Sequence, residues 1–455
     1  MPVAIARPIG QRIRRRRVWN SLESFYTDAG LFLLGAAGAF SANIVGSLPG
    51  DEILLLPILP ALLMLRGRRA FTRQYLWFYV LTGAWLFGTI VADLYAGSPA
   101  ENRMKGTARV VFFGLDFIAL AILLNNKPRR MIIFALSIAA VMLFDTRQFL
   151  GDFLTQWKFG FSGAFAILAF LVSGYFYTRR RYWICVFISL GVAGLNLMFA
   201  FRSQLAVVLV SAVLSLPLFG QTQKRRHGPG AGRSRSSVLI LLALAGASAY
   251  LANASIKYAA LNGYFSESLQ TKFESQAGGD YGVLVGGRPE TLVAIQAIRD
   301  APILGHGSFP YGPKYIQMKQ DIQYQHGYTE SDEPEEVEFP VIPTHSHLTM
   351  AWVESGILGG ICWIYFFVLT LRSALKLSSM RPNMTPLYSY LLVGFLWDIL
   401  YSPFGSVNRL WGAYLILLCY NILQPPATEA QLSRHHRVKY VYGRQPLRLP
   451  RGAAY

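Results

Sequence analysis

Three short segments of this 455-residue chain carry side chains suited to chemistry on an anionic substrate. The first is FRSQLA, in which Arg202 stands between two apolar runs. A guanidinium binds phosphate oxygens through a planar, bidentate fork, so Arg202 is a candidate for binding a phosphate. The alternative is an arginine that only extends its charged end to the membrane surface.

The second segment is GGRPETLVAIQAIRDAPILGHG, which starts at Gly286. Apolar residues recur at one-turn spacing between Pro289 and Pro302, which predicts a short helix. Arg288 directly precedes that helix, whose free N–H groups favour an anion, and Gly287 permits close approach of a ligand. These residues predict a pyrophosphate site. The alternative is an exposed arginine, with a simple turn at Gly305 and Gly307.

The third segment is THSHLTMAWVESGILGG, with two histidines near its start. Imidazole suits proton transfer near neutral pH, so His345 and His347 are candidate bases, although a structural role is the alternative. Residues two apart on a helix do not face each other. With no third ligand in sight, we expect no metal and no cofactor. Ser346 is expected to cap the helix that follows.

Carboxylates inside apolar segments are a further group of candidates. Glu354 lies seven residues after His347, hence on nearly the same helix face. A carboxylate in a membrane span is costly, so it is expected to be functional or paired. The same expectation applies to Asp116 and Asp398.

Composition shows what must position these residues. Hydrophobic residues make up 53% of the chain and charged residues only 15%, which a soluble domain of this size does not match. Runs long enough to cross a bilayer recur along the chain. The sequence predicts an all-α integral membrane protein with about twelve spans, near 29–48, 52–66, 75–95, 108–124, 131–145, 161–178, 182–200, 203–220, 237–253, 347–371, 386–402 and 410–424.

The distribution of charge predicts the topology and argues against nucleic acid as a partner, despite a net charge of +19. Positive residues cluster in alternate connections, as in cytoplasmic loops. With an uncleaved first helix, the sequence predicts both termini in the cytoplasm and one large external loop containing short helices. The predicted segments are a basic N-terminus (1–28), nine spans (29–253), the loop (254–345), three spans (346–424) and a basic tail (425–455).

The order of the three motifs resembles the bacterial O-antigen ligase and polysaccharide polymerase superfamily of inner-membrane glycosyltransferases. That family has an arginine opening a span, an arginine before a loop helix ending in Pro-x-x-Gly-x-Gly, and a histidine before Glu-x-Gly at the re-entry helix. The resemblance covers roughly residues 185–375 and aligns His345 with the family's histidine. Two positions depart from the family pattern. Phe201 stands where a small residue usually precedes the first arginine, and Ser346 with His347 stands where the family more often has an asparagine. These departures leave His347 as a second choice of base.

The resemblance implies a GT-C-like fold and a metal-independent, inverting transfer at the periplasmic face. The donor would be a glycan on undecaprenyl pyrophosphate, bound by Arg202 and Arg288, and the acceptor a glycan or lipid A-core. His345 would be the base; His347, Glu354, Gly287, Gly305 and Gly307 are secondary candidates. Ligase and polymerase activities, in lipopolysaccharide or exopolysaccharide biosynthesis, both fit, with a slight preference for the ligase. A lipid-glycan transporter or flippase and a non-catalytic membrane scaffold are the competing classes.

Overall fold

A computed structural model of the protein describes residues 24–43, 46–144, 153–199, 201–216, 288–325, 341–380 and 382–424, with a few scattered residues between 246 and 263. Gly287, the basic tail and nearly all of the predicted span 237–253 lie outside the described residues. Residues 330–338, six of which are acidic, also lie outside them. The described part is helical apart from one small β-hairpin and the connections.

The helices follow the apolar runs of the sequence. Two of them lie within residues 288–325, a part of the predicted external loop that the structure describes. In chain order the helices are α1 (24–36), α2 (Gly50–Arg66), α3 (Leu76–Tyr95), α4 (Ala100–Leu124), α5 (Pro128–Phe144), α6 (Ser162–Thr178), α7 (Tyr182–Met198), α8 (Arg202–Ser215), α9 (Pro289–Asp300), α10 (Pro313–Gln325), α11 (His347–Met380), α12 (Thr385–Tyr401) and α13 (Val407–Leu423).

Four helical segments among the described residues are long and apolar enough to cross a membrane. They are Arg73–Tyr95, Ala100–Leu124, Phe153–Thr178 and His347–Ser378. Shorter apolar helices accompany them at Tyr182–Met198, Arg202–Ser215 and Val407–Leu423. The chain is therefore an all-α, membrane-embedded protein, as its composition predicts. The count of twelve spans and the orientation of the termini stay predictions.

The N-terminal region differs from the predicted span at 29–48. Helix α1 ends at residue 36, and a 3-10 turn leads into two antiparallel strands, β1 (Ser41–Asn43) and β2 (Ser47–Pro49). The apolar average over this window hides several small residues, and Pro49 directly follows it; both features favour turns over a helix. Helix α1 also runs through the predicted segment boundary at residue 28, where Asp28 is buried and paired with Arg130 at 3.0 Å.

The core of the bundle is aromatic and lies between α3, α4, α11, α12 and α13. Helix α11 packs against α3, α12 and α13, and α4 packs against α13. At the centre the fully buried Trp363 ring contacts Trp85, Phe113 and Phe404 with ring centroids 4.9–6.1 Å apart. Trp85 and Phe404 stand edge-on to the Trp363 ring, and Phe113 stacks on it. These contacts fix the relative rotation of the helices, and so the direction of the polar residues at the helix ends.

Helices α8 and α12 run antiparallel. Ser215 and Leu216, at the end of α8, line one small cavity with Pro386, at the start of α12. Helix α8 starts at Arg202 and α12 ends at Tyr401, so these two helix ends lie at the same end of the bundle. His345 lies beside the last turn of α12, and we refer to this end as the His345 end.

Candidate active site

Arg288 is fixed against the last turn of α12. Its Nη1 donates to the carbonyl oxygen of Tyr401 at 2.5 Å. The guanidinium carbon lies 5.1 Å from the centre of the Tyr401 ring and 5.4 Å from that of Trp397. Aromatic faces attract and orient a guanidinium. Burial of this half-buried group lowers its pKa, against the opposing effect of Glu290, so Arg288 is a cation held partly out of water.

His345 lies in the same neighbourhood with an exposed side chain. Although solvent reaches the ring, the surrounding protein partly desolvates it and lowers the pKa of His345. The carboxylate of Glu290 opposes this shift, whereas Arg288, Lys319 and Lys158 add to it. A neutral imidazole with an open face, next to several cations, is the arrangement expected of a base beside an anion site.

The two residues that follow His345 are held by the end of α12 and by Ser402, the residue after it. Ser346 Oγ donates to the carbonyl of Ile399 at 2.9 Å and accepts from the N–H of Thr349 at 3.1 Å. The second of these bonds caps α11, as the sequence predicts. His347 Nδ1 lies 2.6 Å from the carbonyl oxygen of Ser402. His345 and Arg288 are therefore both positioned by residues 397–402.

His347 is built into the core instead. Its side chain is 2% exposed and stands edge-on to Trp363 and Phe404, with ring centroids 4.8 and 5.0 Å away. A carbonyl only accepts hydrogen bonds, so Nδ1 carries the proton in this contact. Enclosed by these rings, His347 has the surroundings of a structural histidine, whereas the side chain of His345 is open to solvent.

Arg202 lies at the first position of α8, at the His345 end, and is half-buried. The helix is tied to α12 by a hydrogen bond from Gln204 to the hydroxyl of Tyr390. The structure thus brings Arg288 and His345 into one electrostatic neighbourhood and places Arg202 at the same end of the bundle.

Two lysines belong to this neighbourhood that the sequence motifs do not include. Lys158 stands in a π-helical turn, Trp157–Phe161, at the start of the helix that continues into α6. Lys319 on α10 pairs with Glu290 at 3.2 Å. π-Turns are rare and frequent at functional sites, but they give no periodic signal in a sequence. Only the folded structure shows that both lysines lie close enough to His345 to lower its pKa.

Glu354 does not face His345. Its Oε2 accepts from Arg109 Nη1 at 2.6 Å, and both side chains are nearly fully buried. The guanidinium of Arg109 also lies over the ring of Phe309 at 4.5 Å. Of the two roles expected for Glu354, functional or paired, the structure shows the pair. This ion pair joins α4 to α11.

The glycines of the second motif dock the loop after α9 onto a break in α11. The break lies at Gly356, which has φ +62° and ψ −155°. The backbone N–H of the next residue, Ile357, donates to the carbonyl of Ile303 at 3.1 Å. His306 N–H donates to Val353 O at 2.7 Å and Gly307 N–H to Glu354 O at 3.1 Å. The loop therefore satisfies carbonyls that the broken helix leaves free, which is a positioning role.

We expect Gly305→Ala to weaken this docking severely. Gly305 has φ +78°, and an added Cβ would lie 2.5 Å from the backbone nitrogen of Gly356. Strain and overlap together should cost about 2–5 kcal/mol, seen as a lower thermal unfolding temperature in detergent. Gly394→Ala is the matched control, because a Cβ there meets nothing within 4 Å. A normally stable Gly305→Ala protein would contradict the docking role.

The part of the chain that the structure describes contains no group of three or more histidine, cysteine or acidic side chains arranged to hold a metal ion. The three cysteines are free, buried and far apart in sequence. No protein-family model and no curated protein matches the chain.

Proposed function

We propose that this protein is a membrane glycosyltransferase that moves a glycan from a polyprenyl (undecaprenyl) pyrophosphate to a sugar hydroxyl. The observation that carries the proposal is an exposed, neutral His345 beside Arg288, Lys158 and Lys319 at one end of a membrane-embedded bundle. This arrangement provides one base and several cations where a lipid headgroup would lie.

The cations suit the leaving group. Breaking a sugar–pyrophosphate bond develops negative charge on the phosphate oxygens, and preorganised cations lower the energy of that transition state. Arg288 is oriented by Tyr401 and Trp397 before any ligand arrives. Arg202 at the start of α8, together with Lys158, would complete a cradle for two phosphates.

His345 suits the acceptor. The attacking hydroxyl must lose a proton, and only a neutral imidazole can accept it. The lowered pKa of His345 keeps the ring neutral over a wider range toward acidic pH. The released proton can leave through solvent, because the side chain is exposed. No step in this scheme requires a metal or a nucleotide.

The lipid-linked donor places the reaction at the membrane surface. In the predicted topology the His345 end faces the periplasm of a bacterial inner membrane, with both termini in the cytoplasm. We favour an O-antigen ligase-like reaction with a glycan or lipid A-core acceptor, and a polysaccharide polymerase as the alternative within the same chemistry. Translocation of the lipid-linked glycan is the second candidate function, favoured by the charged pairs buried between helices, such as Arg109 and Glu354.

The test is a transfer assay in proteoliposomes that contain a glycan on polyprenyl pyrophosphate, with and without a chelator. We expect a chelator-insensitive glycan product and released polyprenyl pyrophosphate. A single added unit would identify a ligase, whereas a ladder of products would identify a polymerase. If no acceptor yields product while the lipid-linked glycan changes leaflet, the transferase proposal is wrong and the protein is a transporter.

A further inference from the structure

Three carboxylic acids and one arginine meet inside the bundle, away from His345. Asp51 and Glu52 lie in the first turn of α2, Asp116 lies in α4 and Arg409 lies at the start of α13. Arg409 binds Glu52 through two parallel hydrogen bonds, from Nε to Oε1 and from Nη2 to Oε2. This fork pairs one acid with the single arginine.

Asp116 has no such partner. Its side chain is 0% exposed, and neither carboxyl oxygen has a hydrogen-bond partner among the described residues. Asp51 is 5% exposed, and its Oδ1 is also without a partner there. An ionised carboxylate without a partner is very costly in an apolar interior, whereas a protonated carboxyl is not.

The charge balance points the same way. The charged groups that act on Asp116 are Glu52 and Asp51 from α2 and Arg409 from α13. If all three acids were ionised, the cluster would carry two uncompensated negative charges in the membrane interior. Like charges so close oppose each other's ionisation. The cluster becomes neutral when Glu52 and Arg409 stay ionised and the other two acids each bind a proton.

We propose that Asp116 and Asp51 form a proton-binding site within the membrane domain, independent of the glycosyl-transfer reaction. A proton fits better than a metal ion, because the described residues offer no group with metal-binding geometry. The site is separated from His345 by an aromatic layer. Phe113, one turn before Asp116 on α4, packs against Trp363 and Phe404, and His347 stands edge-on to the same two rings.

The side of the β-hairpin is the route that we expect protons to take to the site. The 3-10 turn that precedes the hairpin borders Asp51, whose carboxyl carbon lies 3.5 Å from the position of a Cβ at Gly38. Irregular backbone inside a membrane is tolerated where it borders protein or water. Ser41 and Ser47 on the strands are exposed, which fits water on this side. We therefore expect Asp116 to exchange its proton with the solvent on the side of the β-hairpin.

Infrared spectroscopy of the reconstituted full chain tests this inference. In neutral buffer we expect a C=O band of protonated carboxyl groups that shifts in D2O and loses intensity in Asp116→Asn and in Asp51→Asn. Asp300→Asn is the control, because hydrogen bonds from Lys314 and Tyr315 lower the pKa of Asp300 to about 2 and keep it ionised. That variant should leave the band unchanged.

Thermal unfolding provides a second readout. Alkaline buffer should remove the proton from Asp116, so the unfolding temperature of the wild type should fall more with rising pH than that of Asp116→Asn. Transfer activity is not needed for either measurement, so failure of the proposed function would leave this test intact. Equal band intensity in wild type and Asp116→Asn would overturn the inference, as would stabilisation by sodium over potassium that disappears in the variant.

Discussion

His345→Ala should reduce glycan transfer by about 10²–10⁴-fold, the usual contribution of a positioned general base. The protein should still fold and insert normally, because the side chain is exposed and carries no core packing. Transfer is measured in proteoliposomes under single-turnover conditions. We expect partial recovery with added imidazole, which restores proton acceptance at the empty position. Activity equal to wild type would remove His345 from the mechanism.

The pH profile distinguishes a base from a binding residue. Because the pKa of His345 is lowered, the ring is neutral at neutral pH and gains a proton only under acidic conditions. Wild-type kcat/KM should therefore rise with pH across the acidic range and then level off. The rise should vanish in His345→Ala. His347→Ala is the companion variant, and we expect it to lower the unfolding temperature by emptying a buried site. Full activity in His345→Ala with loss in a folded His347→Ala would reverse the assignment.

Arg288→Lys should reduce transfer by about 10²–10³-fold, although the positive charge is kept. One nitrogen of the guanidinium already donates to Tyr401, and the plane lies against two rings. A lysine cannot hold that carbonyl and still present a planar fork to phosphate. We expect a lower kcat and a higher KM for the donor, with the KM for the acceptor unchanged.

Arg299→Lys is the matched control for Arg288→Lys. Arg299 is exposed in the last turn of α9, the short helix that Arg288 precedes, and should tolerate lysine without a change in rate. Wild-type turnover in Arg288→Lys would remove phosphate clamping from the proposal. An equal loss in both variants would instead point to damage of α9.

Local patterns in the sequence predict the helices well where apolar runs are bounded by proline or charge. The loop helix after Arg288 lies at Pro289–Asp300, as predicted. Ser346 caps α11 as predicted. The hairpin at residues 41–49 is missed, because an averaged hydropathy window treats small and turn-forming residues as part of an apolar run.

The site is only partly readable from the sequence, since its members come from distant segments. The motifs identify Arg288 and His345, but they say nothing of Lys158, Trp397 or Tyr401, which the packing of separate helices places nearby. The two buried acids are a similar case. Sequence alone leaves Glu354 and Asp116 equivalent. The fold pairs Glu354 with Arg109, whereas Asp116 has no hydrogen-bond partner in the described part of the chain.

Two of the buried ion pairs have a consequence for how the chain is made. Arg109 precedes its partner Glu354 by 245 residues, and Glu52 precedes Arg409 by 357. A ribosome finishes the early helices long before it reaches either partner. Nascent α2 and α4 must therefore wait in the bilayer with unmatched polar groups, shielded by water, by protonation or by an insertion factor. Completion of α13 releases that shielding, so the last of the helices that the structure describes closes this part of the bundle.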